Sequence, residues 1–495
     1  MEASTYLAVD LGAESGRVVS GTLNNQGLQL EEVHRFANGS VRLGKHLYWD
    51  VLRLWSEIKF GLQKAGNEAD GQVRSIGLDS WGVDFGLLDA GDNLIGNPIH
   101  YRDSRTDGMM EQVFEIIPME DIYACTGNQF MQLNSLFQLF AMKIAYEPAL
   151  SMAKTFLNIP DLFNFFLTGE KANEFTISTT TQCFDPVKRN WAIDLMAALG
   201  IPTHFFGEIV PPGTILGKLR SSVADELGLS EISVAASAGH DTASAVAAVP
   251  AVNMDYIYLS SGTWSLMGVE LDRPRINAES LAANMTNEGG VGDTIRFLKN
   301  IVGLWMLQKC RNHWSRSGIN YPYDQLSRMA SEAPAFGPIV NPDDERFLAP
   351  EDMVAAIQSY CQETDQIAPM EHGAIVRCIL ESLAMEYRWV AEQLDRLLSN
   401  EYSTIHIIGG GSQNTLLNQM TANATGRTVV AGPVEATAIG NILVQAVAMG
   451  EIDSLVEGRE IVRQSFPVET YHPEEVAVWD QAYERYQTLK RDRGI

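Results

Sequence analysis

Hydrophobic and polar positions alternate with small-residue turns in a repeating order along the chain. Near its start an apolar run, Leu7-Ala8-Val9, meets Asp10; Gly12-Ala13-Glu14-Ser15-Gly16 follows, and Arg17-Val18-Val19 resumes an extended pattern. This reads as strand, tight turn, strand. A third strand is expected over Leu30 to Phe36, and Leu52, Leu54, Trp55, Ile58 and Leu62 give residues 51–65 the spacing of a helix. Ser75 to Leu88 reads as a buried strand running into a polar turn. Far downstream the opening unit recurs. Tyr256-Ile257-Tyr258-Leu259 is an apolar strand, Ser260-Ser261-Gly262-Thr263 a small turn, and Trp264 to Gly268 a returning strand.

The longest helix is expected over 369–399, where Val376, Ile379, Leu383, Tyr387, Val390, Leu394 and Leu397 make one apolar stripe. Strand Ile405 to Ile408 then ends in Gly409-Gly410-Gly411-Ser412, with helices expected from Thr415 and Ala436 around a short strand, Thr428 to Ala431. From Pro473 the pattern is that of an exposed amphipathic helix with a charged end. Strands followed by helices indicate an α/β protein. The expected domains are 1–245, 246–455 and a helical extension, 456–495, with the first boundary between Asp241 and Asp255.

Composition changes this picture little. The chain has 495 residues, 45% hydrophobic and 20% charged, within the ordinary globular range. The formal charge of −26 disfavours nucleic acid and anionic membranes as partners, though a cleft rich in backbone N–H groups still admits ATP. The five scattered cysteines lack CxxC spacing, which points to thiols in a reducing compartment. No signal peptide or membrane-spanning stretch is visible, so a cytoplasmic protein is expected.

Candidate chemistry sits in the turns. Turns poor in side chains expose N–H groups to phosphate oxygens. The segment Gly213 to Lys218 has one residue too few between its glycines for a P-loop, and Leu219 stands where a hydroxyl is needed. A carboxylate at the end of a strand, as Asp10 is, can hold Mg²⁺, directly or through water; it also suits a turn. In Ala238-Gly239-His240-Asp241-Thr242-Ala243 small residues crowd around one acid at the expected start of a helix. Such an Asp serves as a helix cap or as a general base for a hydroxyl, and the segment alone leaves both open.

Together these segments resemble the FGGY carbohydrate kinases of the actin-like ATPase superfamily, and most closely the members that act on L-rhamnulose. The resemblance is carried by AVDLGAESGR at 8–17, LDSWGVDFGLLD at 78–89, YRDSRT at 101–106, AGHDTASAV at 238–246, YLSSGTWSLMG at 258–268, LKNIVGLWMLQ at 298–308, HIIGGGSQNTLLNQ at 406–419 and GPVEATAIGN at 432–441. It implies two ribonuclease-H-like domains with an interdomain cleft, the first mainly for sugar and base, the second mainly for nucleotide. It implies ATP, Mg²⁺ and phosphorylation of L-rhamnulose at O1, in a monomer or small homo-oligomer. Carried over by residue, Asp241 is the base. Gly82, His240, Asp241, Thr242 and Asn300 contact the sugar. Ala13, Glu14, Ser15, Gly16 and Arg17 form one phosphate loop, Thr263 belongs to a second, and Gln308 and Gly410 line the nucleotide site. Asp10 lies near Mg²⁺, through water. Other ketoses, L-fuculose or a xylulose-like sugar, and a non-kinase actin-like ATPase are the alternatives. Where some relatives carry two cysteines four apart, this chain has Thr421 and Thr425.

Overall fold

The computed structural model describes residues 3–69 and 73–491. The chain forms two compact units, each assembled from separate stretches. The first takes the chain up to Val252 together with Glu270–Leu298 and Ala436–Phe466; the second takes Asn253–Val269, Lys299–Glu435 and the chain from Pro467. The expected ranges were continuous. Packing instead gives 270–298 and 436–466 to the first unit.

The first unit is built on a six-stranded sheet. Its strands are β1 (Ser4–Leu11), β2 (Ser15–Asn24), β3 (Gly27–Ala37), β4 (Val73–Ser80), β5 (Thr214–Lys218) and β6 (Ser233–Ala236), in the order β5-β6-β4-β1-β2-β3. Strands β1, β2 and β3 form antiparallel hairpins, whereas β4 runs parallel to both β1 and β6. Every residue of β1 is buried, as its unbroken apolar run requires of a strand covered on both faces. The helix Val51–Glu68 buries Val51, Leu54, Ile58, Leu62 and Ala65, and Asp50 caps it by accepting from the Arg53 N–H. The segment Ser75 to Leu88, read as a strand running into a polar turn, has its strand end at Ser80, and a second strand occupies Phe85–Leu88 beyond the turn.

The second unit carries β7 (Ile257–Ser261), β8 (Ser265–Leu271), β9 (Thr404–Ile408), β10 (Thr428–Ala431) and β11 (Glu469–Tyr471), ordered β8-β7-β9-β10-β11. Here too an antiparallel hairpin, β7–β8, has a parallel strand, β9, on its other edge. The repeated strand–turn–strand unit of the sequence is therefore repeated in sheet topology. The long helix spans His372–Leu398, and its apolar stripe is buried. The final helix, Val476–Arg491, is amphipathic with an exposed face, as expected, but its charged end is not wholly solvated. It buries Trp479, Ala482, Tyr483, Tyr486 and Lys490. The Lys490 ammonium is only 3% exposed; it pairs with Glu386 and sits 3.8 Å over the Trp389 ring. Two carboxylates, Glu386 and Asp343, face it, so a terminal charge that resembled a solvated end is a buried partner.

Candidate active site

Parallel strands place their C-terminal ends on one edge of a sheet, where open α/β proteins bind ligands. In the first unit that edge gathers acids. Asp10 stands opposite Asp79 in the β1–β4 register, and Ser80 bridges to His240 just beyond β6. Asp241 opens the helix Asp241–Ala247 directly after it. Across the hairpin from Asp10 stands Arg17, whose guanidinium donates to its carboxylate.

The acids feel one another. Burial pushes the Asp79 carboxyl well above the usual range, and the charges of Asp10 and Asp241 push it further; a hydrogen bond from Asn441 opposes them. Asp241 is pushed up by burial and by Asp10, while His240 pulls it down. Its side chain is nevertheless 29% exposed. It is not a simple cap, because the residue in the cap position is His240, which makes no side-chain cap bond. An acid that is reachable, desolvated and raised in pKa is suited to accept a proton.

The turn that delivers Asp241 is held from below. Buried Glu174 accepts from the Gly239 N–H at 3.0 Å and from Thr176 Oγ1 at 2.6 Å, and Thr176 Oγ1 accepts from the His240 N–H at 3.1 Å. Burial raises Glu174 to about 6 against the pull of these donors. The helix behind Asp241 packs on Ala436–Ala448 so closely that a Cβ on Gly440 would lie 1.7 Å from the Ser244 carbonyl oxygen. Along that second helix Asn441 donates to Asp79, Gln445 donates to Asn441 at 2.7 Å, and Ser75 donates to Gln445 at 2.6 Å.

Gly82 lies two residues past Ser80, with Thr180 Oγ1 only 3.1 Å from where a Cβ would be. The next residue, Val83, has φ of 67°, a conformation that a β-branched residue adopts only when held. It is held: Thr180 Oγ1 accepts from its N–H, while Ser135 Oγ and Gln138 Nε2 donate to its carbonyl. Trp81 packs at a tilt against Trp49, with centroids 4.0 Å apart, and is buried, as a core residue is. Asp84 is fully buried and accepts from Trp49 Nε1, Trp81 Nε1, the Tyr101 N–H and Gln138 Nε2. Burial lifts its carboxyl to about 6, and those donors restrain it. Asp84→Asn should therefore lower unfolding free energy by about 2–4 kcal/mol, because an amide NH₂ would face donors that need an acceptor. Chemical denaturation of the two proteins checks this.

The remaining sequence candidates fall into place by unit. In the first, the Gly12 N–H donates to the Ser15 carbonyl at 2.9 Å, closing a turn with Ala13 partly exposed and Glu14 exposed; Gly16 and Arg17 lie at the start of the return strand. Thr242 is buried, and its hydroxyl donates to Asp241 at 3.2 Å. Thr263, Asn300, Gln308 and Gly410 belong to the second unit. The Thr263 carbonyl accepts from the Trp305 N–H at 3.0 Å, and Gln308 lies one turn along the helix that Trp305 starts, with its Oε1 buried and unpartnered. Gly410 is exposed, while neighbouring Gly411 packs against Ser261. Asn300 follows Lys299, whose ammonium lies 3.4 Å from Asp343. Thr421 and Thr425 donate to carbonyls of their own helix, and all five cysteines are free.

Asp79, Glu174, Glu288, Arg296 and Asn441 were not singled out from sequence. Asp79 and Asn441 lie inside the segments LDSWG and ATAIGN, so the signal was present. Nothing local marks Glu174, Glu288 or Arg296.

Hard carboxylate oxygens at adjacent strand ends, one of them the buried and unpartnered Asp79 Oδ1, fit a magnesium ion that arrives with phosphates. Among the described residues no group of three His, Cys, Asp or Glu side chains is set to hold a metal. Water and phosphate oxygens would supply most of its ligands.

The N-terminal domain model of the FGGY family of carbohydrate kinases matches residues 5–248, and its C-terminal domain model matches 257–449. The chain belongs to this family. Among FGGY relatives, a rhamnulokinase of Bacteroides thetaiotaomicron is 46% identical over 98% of this chain and 99% of its own length. A second, from Oceanobacillus iheyensis, is 44% identical over 94% and 97%. A gluconate kinase from Lactobacillus acidophilus superposes with a TM-score of 0.82 at 15% identity, covering 99% of this chain and 98% of that one. A xylulose kinase from the same organism gives 0.80 at 16%, with the same coverage. These last two establish the fold alone. The mixed α/β, two-domain architecture is that of FGGY kinases.

Proposed function

We propose that the protein transfers the γ-phosphoryl group of ATP to O1 of L-rhamnulose, forming L-rhamnulose 1-phosphate in L-rhamnose catabolism. The observation that carries the chemistry is Asp241: a partly exposed carboxyl, raised by burial, at the strand-end edge beside Asp10. The choice of sugar rests on full-length likeness to rhamnulokinases.

Asp241 takes the proton from the sugar hydroxyl as its oxygen attacks phosphorus. Gly82, His240, Thr242 and Asn300 hold the sugar. The Gly12–Arg17 turn, Thr263, Gln308 and Gly410 hold the nucleotide. The first unit thus serves mainly sugar and base, and the second mainly ATP. Bound magnesium, near Asp10 through water, would neutralise charge building on the transferring phosphate. Among the described residues no helix is long and apolar enough to cross a membrane, and we place the enzyme in the cytoplasm, acting as a monomer or small homo-oligomer without nucleic-acid or membrane partners.

The test is ATP turnover against a panel of ketoses. ADP release should rise most strongly with L-rhamnulose, and the product should carry phosphate on O1. Stronger turnover with L-fuculose or xylulose would move the assignment to that ketose.

A further inference from the structure

Behind Asp241 lies a buried ion pair, Glu288 with Arg296. Glu288 and Arg296 stand directly opposite each other on a hairpin of the first unit, Thr286–Gly289 with the start of Ile295–Ile301. The Arg296 side chain is 0% exposed. Its Nε donates to the Gly289 carbonyl at 2.8 Å, and its Nη2 lies 3.1 Å from Glu288 Oε2 and 2.9 Å from His240 Nδ1. On the far side of the ring, His240 Nε2 is 3.5 Å from Asp241 Oδ1.

A guanidinium has no lone pair to offer, so its contact with the imidazole can only be a donation. Nδ1 is then the acceptor and carries no proton. A neutral ring keeps its one proton on Nε2, which faces Asp241. The competing tautomer would aim Nδ1–H at Glu288 Oε2, 3.3 Å away, but it would press that N–H against the N–H of Arg296 at the shorter 2.9 Å.

We propose that Arg296, oriented by Glu288, is a positioning residue that locks His240 in its Nε2–H tautomer. The ring then offers a donor toward Asp241 and the sugar oxygen, and no acceptor. The hydroxyl proton moves to Asp241 and not to His240, whose own proton stays in place. The Nε2–H steadies the carboxylate before sugar binds and the attacking oxygen as negative charge builds on it. The proposal rests on the kinase reading of Asp241.

Ring ¹⁵N–¹H correlation spectra of protein labelled with ¹⁵N-histidine test it, the His240 signals being assigned by their loss in His240→Gln. The unaltered protein should show Nε2 protonated and Nδ1 bare; a protonated Nδ1 overturns the proposal without any further variant. The double change Glu288→Gln with Arg296→Met removes both charges, leaving neither buried alone. It should give mixed tautomers and a fall of about 10- to 100-fold in ketose kcat/KM, the scale of a lost hydrogen bond to a charged group, with the KM for ATP unchanged. A double variant that keeps the tautomer, or that changes it without losing ketose turnover, also overturns the positioning role. Failure of the kinase reading looks different: the unaltered protein would release no extra ADP with any ketose, whatever its ring spectrum.

Discussion

Asp241→Asn is expected to lower ketose turnover by about 10²-fold or more while leaving ATP binding intact. The amide matches the carboxylate in shape but cannot take a proton at neutral pH. The same change should not weaken the fold. Burial and Asp10 raise the Asp241 carboxyl from its ordinary value, so the ionised side chain costs the folded state stability. For an acid raised in this way, the folded state binds more protons than the unfolded one between the two pKa values. Its destabilising effect is therefore absent below about 4, the unfolded value, grows as pH rises from there, and levels off above the folded value. The variant should match the unaltered protein in unfolding free energy at low pH and exceed it at neutral pH. Activity should show the reciprocal dependence, with the acid limb of kcat/KM shifted upward from that of a free aspartate. Steady-state kinetics and denaturation across pH measure both. Near-normal turnover in Asp241→Asn would remove the base from the mechanism.

Gly440→Ala should be the most damaging small substitution in the first unit. The added methyl would sit 1.7 Å from the Ser244 carbonyl oxygen, which is backbone and cannot rotate away. One helix must move, and both carry the site: Ser244 lies one turn beyond Asp241, and Asn441 holds Asp79. Overpacking of this kind costs about 3 kcal/mol, at the upper end of the usual range. Turnover should fall with stability. Gly458→Ala is the matched control. There the nearest atoms, at 3.2 and 3.3 Å, are the ends of the Leu443 side chain, which can shift, so a much smaller loss is expected. Urea midpoints and kcat for both variants decide the comparison. Equal stability of Gly440→Ala and the unaltered protein would contradict the packing described.

What could be read from sequence follows from how far apart the cooperating residues lie. An apolar strand ending in an acid is a local pattern, so Asp10 and its turn were legible, as was Asp241 between its strand and its helix. Their adjacency was not, since the register that sets Asp10 opposite Asp79 depends on strand pairing across the sheet. Asp79 reads locally as one more residue in a buried strand. Glu288 and Arg296 come from a hairpin distant in sequence, and only packing brings them to His240. The amphipathic spacing of the final helix was legible, but the burial of Lys490 was not, because nothing nearby in sequence announces Glu386 or Asp343 as its partners. The small-residue turns of the two units were legible as turns, because small residues after a strand carry that meaning locally.

The composite make-up of the first unit sets the order in which a newly made chain can become active. Ribosomes deliver the strands and Asp241 within the first half of translation, but the helix that seats Gly440 against Ser244 and brings Asn441 to Asp79 emerges only near the end. A nascent chain halted at Val252 would hold Asp241 on an unsupported helix, with apolar sheet surface still exposed to chaperones. The proposed base is synthesised early and receives its support late.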